Sequence, residues 1–535
     1  MSARTATPRV AQGEGGTMSH RQVLTALSGL LLGLFVAILS STIVTNALPR
    51  ILSDIGGGEA AYTWVVAAAL LSVTATTPIW GKLSDLYSKK LLVQLAIGIY
   101  ILGSVAAGLA QDPGMLIGCR VVQGVGAGGL IALAQVILAT IVSPRERGRY
   151  TGYLGAVFAV ATVAGPLVGG VVVDTSWLGW RWCFYVAIPF ALAALVVLQR
   201  TLNLPTVRRE VRLDYLGGAL ITAGVSALLV WVSLAGQQFA WASGWSVVLV
   251  TGGVALLALA VRTEARAVEP IVPLRLFRDR TVALASVASL FIGTSLFAAT
   301  VFLGQYFQLG LGSSPTRAGL LTIPLVLSLA GASTVVGRRI TTTGRWKRYL
   351  VSGTVVLAAG LALLSAVRTD SPYLLVAVAM VAVGAGVGMT QQNLVLAVQN
   401  TVPAADLGAA SSLVVFFRTM GGAIGVSALG AVFAAQVRTG SATGLAALGV
   451  SGRGGSGRIP DLAALPAPVA AVIQHAYGVA TGRVFLVTVP FVLAALLAIV
   501  FIRESPLRTT TVGNAAPAPS EPVAAPPRQP ELVRA

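Results

Sequence analysis

The sequence predicts an all-α polytopic membrane protein with fourteen transmembrane helices. The chain is 56% hydrophobic and only 10% charged, with a mean hydropathy of +0.84, whereas about 25% charged residues is usual in soluble domains. Apolar windows of about 20 residues, the length that crosses a bilayer, alternate with short basic segments. This pattern excludes a soluble globular protein.

Fourteen apolar windows are long enough to be spans. They fall at about 24–46, 62–80, 91–110, 115–140, 150–172, 182–199, 215–235, 245–261, 281–307, 318–336, 349–367, 373–395, 408–435 and 484–502. Because the number is even, both termini are predicted on the same side of the membrane.

The basic residues predict which side that is. Most of the 37 Lys and Arg residues fall in the segments that share a side with the N-terminus, and basic loops face the cytoplasm. We therefore predict a multi-pass protein of the cell membrane with cytoplasmic termini, in contact with the lipid bilayer. The net charge of +19 is dispersed over loops and does not indicate nucleic-acid binding.

The polar segments outside the spans predict the rest of the organisation. Residues 1–20 are polar, carry no signal-peptide pattern and are expected to form a disordered cytoplasmic arm. Residues 504–535, with Ala-Pro and Pro-Pro pairs, are expected to form a disordered cytoplasmic tail. A Gly-, Ala- and Pro-rich outer loop is expected near 436–481.

Cysteine and histidine give no chemical site. Cys119 and Cys183 lie within apolar runs, and His20 and His475 are the two histidines of the chain. Neither a disulfide framework nor metal-ligand spacing is present. We predict no metal, no cofactor and no enzymatic activity.

A ten-residue bridge, GKLSDLYSKK at 81–90, joins the second and third spans. Gly81 permits a sharp exit from the helix, and Lys89 and Lys90 favour the cytoplasmic side. Asp85 is a lone acid placed where a neighbouring helix end or an arginine could bind it. A solvated turn would explain the lysines, but not Gly81 and Asp85 together.

A second bridge, GRRITTTGRWK at 337–347, echoes the first in its leading glycine and closing basic residues, eight spans later. It lacks an acid at the place of Asp85. The echo suggests a duplicated six-helix bundle, with spans seven and eight inserted between the copies and a site between the halves.

The fourth span contains Arg120, followed by Gln123 and Gly124. A charged side chain at a helix centre costs at least about 2.5–3.5 kcal/mol for insertion, so Arg120 should face a cavity or a partner. The alternative is snorkelling to the nearer interface. In the fifth span, the segment GPLVGG contains Gly165, Pro166, Gly169 and Gly170. These residues permit bending and close helix packing. Generic packing of small residues is the alternative to a specific role.

Together these stretches resemble the major facilitator superfamily. Residues 81–90 resemble its loop signature, with Ser88 in place of the usual glycine. The resemblance implies that Asp85 latches the outward-facing state by engaging a helix end and a nearby arginine. It also implies that Arg120 takes part in proton coupling and organises the N-terminal half. For 165–170 it implies an exporter motif at the interface between the halves.

Three further stretches resemble the fourteen-helix drug:proton antiporter family of multidrug and antibiotic exporters. They are LSSTIVTNALP at 39–49, WRWCFYVAIP at 180–189 and FFRTMGGAIG at 416–425. This resemblance implies two six-helix bundles plus two inserted helices. The expected divisions are 21–200, a two-helix insert with linkers at 201–280, and 281–503.

One departure concerns the mechanism. The family commonly has Asp where this chain has Ser40, and its usual asparagine is shifted to Asn46. None of the eighteen acids lies in the middle of a predicted span, although a proton carrier usually needs a group perturbed by burial or by a charged partner. Asp54, Glu59, or Asp85 with Arg120 remain as coupling candidates.

We therefore expect a cavity lined by neutral polar and aromatic groups, which suits hydrophobic or amphipathic compounds. Interhelical hydrogen bonding is the alternative role for the amides. The candidate lining residues are Ser40, Thr42, Asn46, Gln308, Gln391, Gln392, Asn393 and Arg418.

The sequence predicts proton-coupled efflux of such small molecules, drugs or antibiotics, by alternating access in a monomer. Export of a lipid or endogenous metabolite is one alternative. A non-transporting receptor or scaffold is another, but it would not need a matched set of gating motifs. No Gly-x-x-x-x-Gly-Lys-Ser/Thr loop is present, which argues against an ATP-driven pump.

Overall fold

The structure is a computed structural model that describes residues 20–57, 59–175, 178–202, 214–236, 239–267, 269–449 and 465–509. The predicted arm before residue 20 and the tail beyond 509 lie outside these residues. So do Arg208, Arg209 and Arg212 between the seventh and eighth helices.

In the described residues up to 202, the chain forms seven helices, of which the short sixth and the seventh together make one span. Their bounds are α1 His20–Asp54, α2 Glu59–Leu86, α3 Lys89–Gly108, α4 Pro113–Ile141, α5 Pro144–Asp174, α6 Trp182–Tyr185 and α7 Ala187–Thr201. Asp112 caps α4, with its side chain accepting a hydrogen bond from the Met115 amide, and proline begins both α4 and α5, where no amide donor is needed.

Nine further helices occur in the described residues from 214 to 509, and the eleventh and twelfth together make one span. Their bounds are α8 Tyr215–Leu234, α9 Gly244–Glu264, α10 Arg280–Gln305, α11 Pro315–Leu321, α12 Ile323–Thr343, α13 Lys347–Ser365, α14 Tyr373–Thr401, α15 Leu407–Ala447 and α16 Ala467–Phe501. A π-helical turn, Tyr306–Gly310, extends α10, and short 3₁₀ turns precede α10 and α15.

The number of spans agrees with the prediction of fourteen. Among the described residues, thirteen helical segments are long and apolar enough to cross a membrane, and the shorter apolar helix 216–232 within α8 makes a fourteenth candidate. Large apolar side chains such as Leu102, Leu374 and Leu497 are more than half exposed on the outside. Lipid would cover such a surface, because the hydrocarbon of a bilayer offers no hydrogen-bond partners and contacts apolar side chains favourably.

Two predictions of irregular chain are wrong. Gly81 does not end the second helix, which continues to Leu86 and turns only at Tyr87 and Ser88. The expected outer loop at 436–481 is helical at both ends, because α15 runs to Ala447 and α16 begins at Ala467. Alanine is the strongest helix former and dominates these flanks; residues 450–464 lie outside the description.

The helices form two groups that meet along the interior of the molecule. Two apolar clusters are built from α1 to α7, and the largest cluster is built mainly from α10 to α16. Val225 and Leu229 of α8 join this largest cluster, together with Ala67 and Leu71 of α2. The architecture of two bundles with two added helices is therefore confirmed, while the exact divisions at 200 and 280 stay predictions.

Candidate functional site

The end of α2 binds the beginning of α15. One carboxylate oxygen of Asp85 accepts a hydrogen bond from the Gly408 amide at 2.7 Å, and the other accepts from the Ala409 amide at 2.9 Å. These amides belong to the first turn of α15, which carries the positive end of the helix dipole. Asp85 therefore caps a helix of the opposite bundle, in the position the sequence indicated. We call the side of the molecule that holds this contact the Asp85 face.

The residue expected to cap α15 does not do so. Asp406 precedes the helix, but its side chain makes no capping bond and instead accepts from Arg275 Nη2 at 2.8 Å. No arginine forms an ion pair with Asp85 in the part of the chain that is described. The helix-end contact implied by the resemblance is thus present, and the arginine contact is not.

Gly81 permits the close approach of α2 to α15. A Cβ atom at Gly81 would overlap the side chain of Ser412 and lie 2.7 Å from the Gly408 carbonyl oxygen. Gly408 is equally confined, because its own Cβ would overlap the Gly81 carbonyl and the Ser84 hydroxyl. The glycine is needed for this contact, and not for the helix exit that the sequence suggested.

The segment between α9 and α10 contacts both α2 and the residue that precedes α15, and so reaches both sides of the Asp85 contact. Lys82 Nζ, on a side chain only 3% exposed, lies 2.5 Å from Glu269 Oε2, and Arg275 binds Asp406 next to the start of α15. Glu264 at the end of α9 holds the segment in place by accepting hydrogen bonds from the Ile271 and Val272 amides, each at 3.1 Å. The insert therefore joins the contact between the bundles.

The second bridge, residues 337–347, makes a similar contact between α12 and α5, also on the Asp85 face. Gly337 lies within α12, and its Cβ would overlap the Gly148 carbonyl of α5. The place corresponding to Asp85 is Thr341, whose hydroxyl donates to the Gly337 carbonyl of its own helix. Here the beginning of α5 receives a different acceptor, since the Arg145 amide donates to the Arg508 carbonyl at 3.2 Å.

That carbonyl belongs to a segment that follows α16, residues 503–509. Within it, Glu504 accepts from the Trp346 and Lys347 amides at 2.9 and 3.1 Å. Asn400 donates to the Ser505 hydroxyl and the Pro506 carbonyl and accepts from the Arg508 amide at 3.0 Å. The prediction of disorder from 504 is therefore wrong for its first six residues, because backbone and side-chain partners are supplied by α13 and α14.

Polar side chains join the bundles between these two contacts. Arg147, 1% exposed, donates to Gln399 Oε1 at 2.8 Å and to the carbonyls of Ala139 and Val142. Gln135 donates to Gln392 Oε1 at 3.0 Å across the same interface. The bundles are thus held together on the Asp85 face by a buried network.

Arg120 lies deeper, among side chains of its own bundle. It is 4% exposed and donates to Gln123 Oε1, while Gln123 Nε2 donates to Ser104 Oγ at 2.8 Å and, at 3.4 Å, to Ser40. Its Nε is buried without a partner. Snorkelling is excluded by this burial, and the guanidinium borders a cavity of about 30 Å³ that Gln123 and Gly124 also line.

Gly165 and Gly169 pack α5 against α1. A Cβ at Gly165 would overlap the Thr42 side chain, and one at Gly169 would lie 3.2 Å from the Ile43 carbonyl. Gly170 instead approaches Thr316 of the other bundle, with 3.5 Å between its ideal Cβ and the hydroxyl. The helical path is continuous through residue 166, so the motif mainly provides close packing within one bundle.

Comparison with known proteins identifies the fold. The profile of the Major Facilitator Superfamily matches residues 30–426. An uncharacterized MFS-type transporter of Mycobacterium tuberculosis is 36% identical over 513 residues, which are 95% of this chain and 73% of the relative. This chain belongs to the major facilitator superfamily.

Other relatives within the superfamily carry names of exporters. The multidrug transporter protein MdtP of Bacillus subtilis is 31% identical over 423 residues, covering 79% of this chain and 77% of the relative. The efflux pump FUS6 of Gibberella moniliformis is 33% identical over 412 residues, covering 75% and 72%. The crystal structure of the human organic anion transporter MFSD10 superposes with a TM-score of 0.56 at 15% identity, covering 88% of this chain and 99% of that one, which supports the fold alone.

The other predicted site residues of this transporter are dispersed. Lys90 donates to the Gln199 carbonyl at 2.8 Å, and Lys89 begins α3 half-buried. Asn393 donates to the Met389 carbonyl of its own helix. Gln391 and Gln308 are half-buried, and Arg418 is 8% exposed with Nη1 unpartnered.

The predicted cavity lining is not brought together, because none of the predicted lining residues whose side chains are described borders the cavity beside Arg120. Gln123 and Gly124 line the cavity with Arg120, whereas Ser40 is fully buried behind Gln123 and its neighbour Ser41 reaches the lining. Thr42 donates to carbonyls of its own helix. Gln392 makes the interhelical bond that was the alternative interpretation for the amides. Asn46 lies in α1, and its side chain is outside the description.

The candidates for proton coupling have different surroundings. Asp54 forms an exposed ion pair with Arg50 at 3.8 Å, the Glu59 side chain lies outside the description, and Asp85 contacts the other bundle. Residues that sequence reasoning missed are Lys82, Glu269, Arg147, Gln135 and Asn400. Arg147 was indistinguishable from the exposed arginines around it, and the others would have required knowledge of which helices meet. No group of three or more potential metal ligands occurs in the described ranges.

Proposed function

We propose that the protein exports hydrophobic or amphipathic small molecules, such as drugs or antibiotics, across the cell membrane by proton-coupled alternating access. The observation that carries this proposal is the Asp85 contact with Gly408 and Ala409. It joins the two bundles at one face through an ionisable group, as a reversible gate requires.

The orientation of the gate follows from the basic loops. Arg338, Arg345 and Arg348 lie at the Asp85 face, which the positive-inside bias assigns to the cytoplasm. Because the bundles are joined at that face, we propose that the conformation described corresponds to the outward-facing state. Both termini would then be cytoplasmic, and the single chain contains both bundles, so we propose that it acts as a monomer.

Proton coupling is proposed to act through Asp85. A carboxylate accepts from two amides and interacts favourably with the positive end of α15. A proton on Asp85 removes the charge and one acceptor site, which weakens the latch and favours opening of the cytoplasmic side. Once opened, Asp85 would release the proton to the cytoplasm and the latch would form again.

Export as the direction of transport is supported by the names of the relatives, among them a multidrug transporter and efflux pumps. Transport in place of catalysis is supported by membership of a superfamily of transporters. The interior also lacks an ion-paired carboxylate beside Arg120, Arg147 or Arg418 in the described ranges, so a cationic compound would meet no buried counter-charge there.

Gradient-driven efflux from proteoliposomes tests this function. Purified protein is reconstituted, loaded with a neutral fluorescent amide such as dansylglycinamide, and energised by an imposed pH gradient. We expect efflux that collapses with a protonophore and is slowed at least tenfold by Asp85→Asn. Asp370→Asn, an exposed acid, is the matched control and should transport normally. Efflux that persists without the gradient would contradict proton coupling.

A further inference from the structure

Arg120 is a buried cation without a counter-anion. Its hydrogen-bond partner is the neutral Gln123, and Nε is buried with no acceptor. None of the ion pairs in the described residues involves it. A buried charge is tolerated when it is paired and fully hydrogen-bonded, so this guanidinium retains an unfilled requirement for an acceptor.

Arg147 shows what a satisfied buried arginine looks like in the same protein. All three of its guanidinium nitrogens donate, to the Val142 carbonyl, the Gln399 side chain and the Ala139 carbonyl. Arg418 of the other bundle resembles Arg120, since it is 8% exposed and Nη1 has no partner. Incomplete hydrogen bonding is therefore a property of the two deeper arginines, and not of every buried one.

The space beside Arg120 can receive an acceptor. The cavity of about 30 Å³ lies between α1, α2, α3 and α4 and is bordered by Ser41, Tyr100, Arg120 and Gln123. A single water molecule needs a cavity of roughly 10–15 Å³. This cavity therefore accommodates about two polar atoms. A carboxylate presents two oxygens. Ser41 is exposed, so the cavity has a route to the outside of the bundle.

The remaining walls are apolar. Ala37, Ala69 and Val73 contribute to the lining, and the gap is narrow because Gly124 allows α4 to approach α2, with its ideal Cβ 2.7 Å from the Ala69 carbonyl. Such walls provide no compensation for a cationic head group. The site therefore combines one cation with an apolar surround.

From this geometry we propose that the substrate carries a carboxylate or similar anionic group, and that Arg120 binds it in this cavity. The inference rests on the proposed export function and narrows it from amphipathic compounds in general to amphipathic anions. Gln123 accepts from the guanidinium and donates to Ser104, which restrains the orientation of Arg120 and leaves Nε without a protein acceptor. A bound carboxylate would supply the charge-assisted hydrogen bond that the protein lacks.

Binding to the full-length protein in lipid nanodiscs tests this proposal at neutral pH. The probes share one fluorophore: dansylglycine is anionic, dansylglycinamide is neutral, and N-(2-aminoethyl)dansylamide is cationic. We expect the wild type to bind dansylglycine at least tenfold more tightly than dansylglycinamide. Arg120→Gln should reduce this preference to about onefold, and Arg120→Lys should retain part of it.

Two variants make the comparison specific. Arg338→Gln removes an exposed arginine with the same change of charge and should keep the preference. Ser41→Asp places an acid at the cavity and should abolish the preference while binding of the neutral probe remains, even if Arg120→Gln fails to fold. Equal binding of the anionic and neutral probes by the wild type, or a preference unchanged in Ser41→Asp, overturns the proposal.

The experiments distinguish failure of the proposed export function from failure of the anion site. If the wild type exports dansylglycinamide down an imposed gradient but shows no preference for dansylglycine, export stands and the anion site is wrong. If it binds dansylglycine selectively but exports neither probe, the anion site stands and export is wrong.

Discussion

The Asp85 carboxylate lies 2.7 Å from the backbone nitrogen of Gly408 and takes the capping role that Asp406 leaves vacant. A helix of one bundle thus begins on a side chain from the other bundle. Hydrogen bonds to a charged group contribute about 1.5–3 kcal/mol each, and two of them meet here. Their loss would change the balance between closed and open states by one or more powers of ten.

Asp85→Asn should therefore favour opening of the Asp85 face. An asparagine side chain of the same shape has one oxygen to accept with, so its NH₂ group would be directed at one of the two amides. We expect export at least tenfold slower, with little change in expression. Asp85→Glu, which keeps the charge but is longer, should retain more activity than Asp85→Asn. Equal rates for all three forms would contradict a latch at this position.

Gly81→Ala tests the steric side of the same contact. The added methyl group would overlap Ser412 and approach the Gly408 carbonyl, so α2 and α15 must separate. We expect a larger loss of export than from Gly98→Ala, where no atom lies within 4 Å of the ideal Cβ. Both substitutions raise helix propensity by the same amount, about 1 kcal/mol, which isolates the contact.

A second substitution sharpens this test. Ser412→Gly removes the nearest obstructing side chain, so Gly81→Ala combined with Ser412→Gly should export faster than Gly81→Ala alone. The recovery should be incomplete, because the Gly408 carbonyl remains at 2.7 Å. If the double variant is as slow as the single one, the methyl group acts through some other contact.

The Lys82–Glu269 pair predicts that the insert stabilises the closed Asp85 face. Removing one partner of a buried pair costs about 3–5 kcal/mol, and less here because Glu269 is 28% exposed. Glu269→Gln should therefore lower the thermal stability and the export rate, and the double variant Glu269→Gln with Lys82→Met should recover part of both. Arg50→Gln, which breaks an exposed pair, should change stability by no more than about 1 kcal/mol. Independent, additive effects of the two substitutions would contradict a direct pair.

Much of this architecture could be predicted from the sequence, because apolar length and basic loops are local properties of the chain. Asp85 was found because a lone acid among lysines is conspicuous. The partners of Lys82, Gln135 and Arg147 could not be predicted in the same way. Their roles depend on which helices cross, and a buried arginine such as Arg147 has the same letter as its exposed neighbours Arg145 and Arg149.

The composition of the tail, rich in proline and alanine, also led to a wrong prediction of disorder for residues 504–509. Residues 504–509 resemble the polar tail that follows, yet they are fixed by Asn400 and by amides at the start of α13. Composition predicts disorder when a segment cannot bury enough apolar surface, and it does not include hydrogen-bond acceptors that another part of the chain offers. The second bridge lacks an acid, and it is the Arg508 carbonyl that meets the beginning of α5 instead.

Truncation distinguishes this segment from the rest of the tail. A chain ending at Arg503 removes the acceptors for Trp346, Lys347 and the Arg145 amide, so the joined state of the Asp85 face should weaken and export should slow several-fold. A chain ending at Thr509 keeps these contacts and should export like the wild type. Asn400→Ala in the full chain removes three hydrogen bonds to the segment, each contributing about 0.5–1.5 kcal/mol, and should reproduce part of the shorter truncation. Export measured in proteoliposomes decides the matter, because equal rates for both truncations would mean that the segment does not contribute to the gate.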